Sequence, residues 1–464
     1  MRNTTIVLVV FVLSGCNQNP PCIICPSLKR SDLRIDSIVV ESTEIDLKIS
    51  TKDSTVLGNI SLSRNDSIIF SGRVSRKDSL INNTSLLPSH QYVFTAHRMV
   101  DQNNFKTDDV QTLAIRTMDT SSHNYFWQID TVGVGYTSLA WDVAIINDNL
   151  AYVVGTFYLY DSSGHVQDVP KGVAEWDGNN WQFQHLYAIN LSGGQSTLEP
   201  RTLFAFSAGD IWLAEGSVFH WDGGSEEVTP YWIAATPGNP SPVLLPGQTI
   251  EKIWGTSSSD LYLVGRQGAI VHFNGRSWQR MESGTTTDLT DVWGSPDGKV
   301  IWACGYSDCC PGTILLRYRP SLDPGWQKVV DGGSLETVVR SDSLSGTFVS
   351  LFTQSDERLY VGSSAGMYKT LSSSVGKATR ISYTSGFFDG LPSRMRGPMT
   401  NDLAIVGAYG FIAHYNGISI KYYSGFYNNN ILFNSVAIKD NLIIAVGYLY
   451  DPINSKGVVY IGRR

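Results

Sequence analysis

The sequence predicts an all-β chain in two parts, a short strand-rich segment followed by a longer one built from a single repeated unit. Three observations carry this. Between Asp32 and Thr117 short runs alternate apolar and polar residues, the period of half-buried strands. From His123 onward one strand-and-turn pattern recurs seven times. The composition, 42% hydrophobic and 11% aromatic with only 17% charged, describes a well-packed globular chain and not a disordered one.

The N-terminus carries one basic residue, Arg2, then an apolar run from Ile6 to Leu13, then Ser14, Gly15 and Cys16. That run suits the core of a signal peptide and is far too short to cross a bilayer as a permanent helix. The tetrapeptide Leu13 to Cys16, LSGC, resembles the lipobox of bacterial lipoproteins, in which the signal is cut before the cysteine and the cysteine is acylated. The resemblance implies a signal peptide over 1–15, a lipid on Cys16, a tether over 16–31, and a remainder held to a membrane by acyl chains, two of which suffice for stable anchoring. The alternative is an ordinary secretory signal with an incidental cysteine. No later segment approaches a transmembrane run. Asn17 is a hint against inner-membrane retention, so the expected location is the cell envelope, at the outer membrane or the cell surface.

Six cysteines are present, and with Cys16 acylated an odd number remains. Cys22 and Cys25 have the spacing of a redox motif, but they lie in a Pro-containing tether without the strand-helix context that depresses a thiol pKa. A local disulfide or idle thiols fit them better. Cys304, Cys309 and Cys310 could close a small loop by a disulfide in an oxidising compartment. A metal site would need a second pair or histidines at set spacing, and none is nearby; no metal and no cofactor is expected. The net charge of −7 argues against a nucleic-acid partner, which calls for a basic face.

Within 32–118, Ile45, Leu47 and Ile49 share one strand face while Glu44, Asp46 and Lys48 share the other. The stretch SLLPSHQYVFTA, Ser85 to Ala96, resembles the late strands of fibronectin type III domains. That resemblance implies a β-sandwich in which Tyr92 closes a corner by bonding back to the upstream backbone. TLAIRTMD, Thr112 to Asp119, reads as the last strand and exit. The tryptophan common on an early core strand of that family is absent, with Leu47 the nearest substitute. No RGD tripeptide occurs, so the resemblance implies a spacer more readily than a receptor ligand.

Over 123–464 each unit opens with an apolar strand, turns at polar residues, and enters a second strand that commonly ends in glycine. A third strand closes on an aromatic followed by Asp-Gly or Asn-Gly, and a fourth often opens with tryptophan. Glycines end six second strands, at Gly155, Gly265, Gly305, Gly362, Gly407 and Gly447, and Gly216 serves the seventh. The spacing from Gly155 to Gly447 averages about 49 residues, in the range of propeller blades. Four short antiparallel strands per unit with radial repetition describe a seven-bladed β-propeller. The last unit supplies only three strands, while Asn124 to Asp130 precedes the first unit as an orphan strand; pairing the two would close the ring.

His220, His272 and His414 recur at one place, on third strands just before turns where Asp-Gly or Asn-Gly supplies positive φ. A residue repeated in this way is scaffold, hydrogen-bonded to the neighbouring strand or turn, and not a catalytic base. The same logic assigns most of Trp141, Trp176, Trp181, Trp221, Trp254, Trp278, Trp293 and Trp326 to packing between blades.

The long connections fall on one face, which marks it as the working surface. On that face two insertions resemble each other, FYLYDSSG from Phe157 and YLYDPINS from Tyr448. They belong to blades one and seven, neighbours once the ring closes, so Tyr158, Tyr160 and Asp161 could face Tyr448, Tyr450 and Asp451 and bind a glycan or peptide. The competing account is that Tyr-x-Tyr simply extends two strands. Sialidase Asp boxes are only faintly echoed at Ser295 to Trp302, and no GxSxG, His-Glu-x-x-His, phosphate loop or EF-hand loop occurs. The expected function is therefore a lipid-anchored envelope protein whose propeller binds a protein or glycan partner without catalysis. The alternatives are a carbohydrate-active propeller enzyme using loop carboxylates and a structural subunit of an envelope complex.

Overall fold

A computed structural model describes residues 32–52, 56–102, 105–134, 137–235, 238–239, 242–307, 312–332, 343–373, 375, 377–382 and 392–464. Cys16, Cys22, Cys25, Cys309 and Cys310 lie outside the described residues, as does the whole of 1–31. The chain is all-β, with two single-turn 3-10 segments as its only helix among the described residues. It divides into two compact units, one formed by Met1–Asp36, Lys48–Leu80 and Val93–Leu113, the other by Ser37–Leu47, Ile81–Tyr92 and Ala114–Arg464.

The N-terminal strands form two sheets. Leu33–Val40, Ile45–Thr51 and Asp78–Asn83 make a three-stranded sheet in that order. Ser67–Val74, Gly58–Arg64, Gln91–Gln102 and Phe105–Arg116 make a four-stranded one. In the first unit Ile60, Leu62, Phe94 and Ala96 are buried. Arg98 there donates from Nε to the Leu57 carbonyl at 2.8 Å and pairs with Asp32 at 3.0 Å.

In the second unit seven four-stranded antiparallel sheets follow one another along the chain. Their inner strands are Leu139–Asn147, Thr202–Ser207, Ile250–Ser257, Asp288–Gly294, Phe348–Phe352, Pro392–Met399 and Ile431–Lys439. Each inner strand packs against the next, and the seventh returns to the first, so the sheets form the closed ring of a seven-bladed β-propeller. Six blades are continuous in sequence. The seventh takes its outermost strand from Phe126–Val132, which pairs with Lys456–Arg463 in unbroken register from Val132↔Gly457 to Phe126↔Arg463.

The repeated glycines have a geometric cause. In six blades the inner strand carries a bulge, and the second-strand residue facing it or its neighbour is one of those glycines, as in Ile250↔Gly265 followed by Lys252↔Val264. The bulge drives an inner-strand carbonyl into the space a side chain would need. A Cβ on Gly265 would stand 1.7 Å from the Thr249 oxygen, and one on Gly447 2.0 Å from that of Leu432. Between blades the cores are aromatic and aliphatic, with Trp176, Trp221 and Trp302 wholly buried. Cys304 is a buried free thiol in one of these cores, and burial pushes its pKa well up. It closes no disulfide loop, because its side chain is packed between the fourth and fifth blades.

Residues 37–47 carry three carboxylates to the fifth blade. Arg358 pairs with Glu44 and, at 2.7 Å, with Asp46, while Lys369 reaches Glu41 at 3.1 Å and Glu44 at 2.8 Å. The Tyr360 hydroxyl donates to Glu41 at 2.6 Å. Three acids thus share two cations in a buried cluster, and burial together with the Glu41 charge raises the pKa of Glu44.

Candidate functional site

The recurring histidines are each tied to an aspartate at the start of the second strand of the same blade. His220 Nε2 lies 2.9 Å from Asp210 Oδ1, His272 Nε2 2.8 Å from Asp260 Oδ1, and His414 Nε2 2.7 Å from Asp402 Oδ1. In blade two the chain of bonds continues to the next blade, since Ser258 Oγ donates to Asp210 and Trp212 Nε1 donates to Ser258. These pairs lock strands and blades together.

The tyrosines and carboxylates picked from the two similar insertions lie at and just beyond the ends of the second strands of the first and seventh blades, Leu150–Phe157 and Leu442–Leu449. Tyr160 and Tyr450 are exposed. Asp161 Oδ1 accepts from the amides of Ser163 and His165, and Asp451 Oδ1 from those of Ile453 and Asn454, so each carboxylate closes its own turn. The Tyr158 amide donates to Ser138 Oγ at 3.1 Å. Tyr448 is the member of the set that reaches inward, its ring edge-on to Trp141 at 6.5 Å.

Trp141 leads to a site that sequence reasoning passed over. It is the bulged residue of the first inner strand, and its equivalents are Glu251, Thr290, Val349, Ser393 and Asn434, with Arg201 just ahead of the inner strand in blade two. All seven line one cavity of about 640 Å³ on the ring axis, together with Tyr306, Leu432, Ala408, Pro392 and the base of Arg394. The repeat groups Trp141 with the packing tryptophans, but the bulge turns it out of the blade interface and into this bowl. A bulge re-aims one side chain per strand, and here it does so in register around the ring.

The next residue of each inner strand forms the floor, and all seven are polar: Asp142, Thr202, Lys252, Asp291, Ser350, Arg394 and Ser435. Asp142 accepts from Thr202 Oγ1 at 2.8 Å, the Leu203 amide at 3.0 Å, Lys252 Nζ at 2.5 Å and Ser435 Oγ at 2.6 Å. Asp291 accepts from Ser350 Oγ at 2.9 Å, the Leu351 amide at 2.8 Å and both terminal nitrogens of Arg396 at 3.0 and 2.6 Å, and it pairs with Arg394 at 2.8 Å. Burial alone would raise the Asp291 pKa, but Arg396 and Arg394 hold it well below the usual carboxylate range. Burial brings Lys252 down to about 8 against the pull of Asp142. Beneath the floor Phe204 and Trp293 meet across the axis at 6.4 Å, with the Arg396 guanidinium 4.4 Å above the Trp293 ring. The bowl therefore opens to one face and is closed below.

Its electrostatics are one-sided. Lys252 and Arg394 balance Asp142 and Asp291 in the floor, and Arg396 just beneath it adds a third cation paired to Asp291. Arg201 on the wall lies 5.2 Å over Trp141. Glu251, the one carboxylate among the described lining residues, is answered by Arg266 at 2.9 Å. Two buried polar atoms of the lining, Thr290 Oγ1 and Arg394 Nε, have no hydrogen-bond partner.

No family model matches the sequence, and no curated protein does. Among solved structures, YCF48 bound to D1 peptide is similar at 15% identity over 75% of this chain and 100% of that one, with a TM-score of 0.49. The computationally designed Ika8 protein is similar at 14% identity over 70% and 98%, with a TM-score of 0.41. The fold stands on the strand pairing and ring closure above and takes nothing from these scores.

Proposed function

We propose that this protein is a non-catalytic binding propeller, lipid-anchored in a bacterial cell envelope through Cys16, that captures a protein or glycan partner in its axial bowl. The observation that carries the reading is the convergence of seven equivalent positions, one from each blade, on a single cavity of about 640 Å³, within the range of ligand pockets. Side chains carried on the strands of a rigid scaffold are held more precisely than side chains on loops, which suits a recognition site. A hydrolase using paired carboxylates needs two of them flanking the scissile bond. The described lining offers Glu251 alone, already in an ion pair, which favours binding over turnover.

Residues 32–118 are proposed as a fibronectin type III-like sandwich that spaces the propeller from the membrane. In support, the Leu87 amide donates to the Tyr92 hydroxyl at 2.8 Å, the upstream bond a tyrosine corner requires. Leu47 is fully buried where that family commonly places a tryptophan.

The binding reading is tested by retention of detergent-solubilised full-length protein on arrays of immobilised peptides and polysaccharides, compared with Val349→Trp, which fills the bowl. Retention lost in the variant with an unchanged melting curve is the expected result; equal retention would place the site elsewhere. For the anchor, Cys16→Ala should move the protein from the membrane pellet to the soluble fraction.

A further inference from the structure

We propose that the axial bowl takes a peptide segment carrying a carboxylate beside an apolar side chain, with Arg201 holding the carboxylate. The inference rests on the reading of the bowl as the binding surface and goes further by naming the chemistry of the ligand.

Charge is the first argument. The chain as a whole is net −7, yet the bowl concentrates cations. Its floor pairs two cations with two carboxylates, and Arg396 beneath adds a third cation, so the field above it is positive. Arg201 adds a further charge on the wall. Among the described residues it forms no ion pair; its guanidinium carbon sits 5.2 Å over the Trp141 ring, a cation–π contact that leaves its nitrogens to donate. The nearby Glu251 does not answer it, because Arg266 already does. Arg394 contributes an Nε with no partner at the base of the same cavity. A planar guanidinium beside an indole ring and outside any ion pair is suited to a carboxylate.

Shape is the second. Over blades five to seven Val349, Pro392, Ala408 and Leu432 put aliphatic groups into the wall, alternating with the polar Thr347, Ser364, Ser393 and Asn434. A leucine- or valine-sized side chain loses water against the aliphatic groups, while the polar ones between them can hydrogen-bond a peptide backbone. An acidic group on one side and an apolar one on the other is what a short peptide presents and a uronate oligosaccharide does not.

The test uses detergent-solubilised full-length protein and fluorescein-labelled hexapeptides in a Gly-Ser background, read by anisotropy. The probes are a blocked Leu-Glu peptide, its Leu-Gln counterpart, the Leu-Gln peptide with a free C-terminal carboxylate, and an oligogalacturonate. A carboxylate-bearing peptide should bind at least about tenfold tighter than the neutral one, and less tightly as salt rises. The blocked Glu and free C-terminus arms separate a side-chain carboxylate from a terminal one. Arg201→Gln should erase the preference and Arg201→Lys should keep part of it, with melting unchanged in both. Equal affinity for Glu and Gln peptides, still abolished by Val349→Trp, would overturn the carboxylate claim and leave the bowl as the site. Binding of the oligogalacturonate alone would overturn the peptide. Failure of every probe, together with unselective retention on the arrays, would remove both readings.

Discussion

At the scale of single residues the most constrained chemistry lies where the two ends of the propeller segment meet on the sixth blade. His414 is fully buried, with Nε2 on Asp402 and Nδ1 2.8 Å from Nδ1 of His123, and the C-terminal residue Arg464 clamps the same Asp402 with two nitrogens. Burial and then the positive charge of His414 and Lys421 bring the His123 pKa down to about 4, with only Asp402 opposing. An unfolded imidazole titrates near 6.5. Between those values the unfolded chain binds the additional proton, so stability should fall as pH drops from about 6.5 towards about 4. Thermal melts across that window should therefore slope downward, and His123→Gln should flatten the slope; an equal slope in the variant would acquit this imidazole. The histidines were legible as scaffold because they repeat. Their partners carried a signal too, an aspartate 10 or 12 residues upstream of each, but it directly follows a turn, where aspartate is common anyway.

At the scale of strands the repeat is written in glycine, and the glycines differ in how much they are needed. Gly447 and Gly362 occupy equivalent places on second strands, beside the bulges of the seventh and fifth inner strands. A Cβ on Gly447 would collide with backbone at 2.0 Å, while one on Gly362 would meet nothing nearer than 3.6 Å. Gly447→Ala should cost about 2–3 kcal/mol in urea unfolding, since backbone must shift, and Gly362→Ala less than about 1 kcal/mol. Similar losses at both sites would show that strand propensity, not the bulge, selects glycine. The all-β class and the repeating blade were readable because strand ends and Asp-Gly or Asn-Gly turns impose the same residue types each time. The bowl was not readable for the opposite reason. Trp141, Arg201, Glu251, Thr290, Val349, Ser393 and Asn434 share a register and no residue type, so likeness between units pointed to scaffold and the lining escaped notice. The search for likeness instead selected Asp161 and Asp451, which close turns.

At the scale of the molecule two carboxylates hold the ring across its axis. Asp142 of the first blade binds groups from the second, third and seventh, and Asp291 of the fourth binds groups from the fifth and sixth. Every blade therefore touches one of two buried anions, in addition to its packing against its neighbours. Removing one partner of a buried ion pair strands the other in low dielectric, at a cost of about 3–5 kcal/mol. Asp291→Asn leaves Arg394 and Arg396 without their counter-charge and should lower stability by that amount, whereas Ser350→Ala removes one neutral bond and should cost about 1 kcal/mol. The depressed pKa of Asp291 fixes the pH behaviour. Its contribution is present above the unfolded value near 3.9 and is lost as pH falls from there towards the lower folded value. Wild type should therefore lose stability in acid faster than the asparagine variant, and their difference should shrink. Because the anions join blades that are not adjacent, far-UV dichroism and the fluorescence of Trp293, which faces Arg396, should report one transition for the ring in both proteins. A biphasic melt in Asp291→Asn, with blades four to six unfolding first, would mean that each arc is held by its own neighbours and the axial anions brace nothing beyond them.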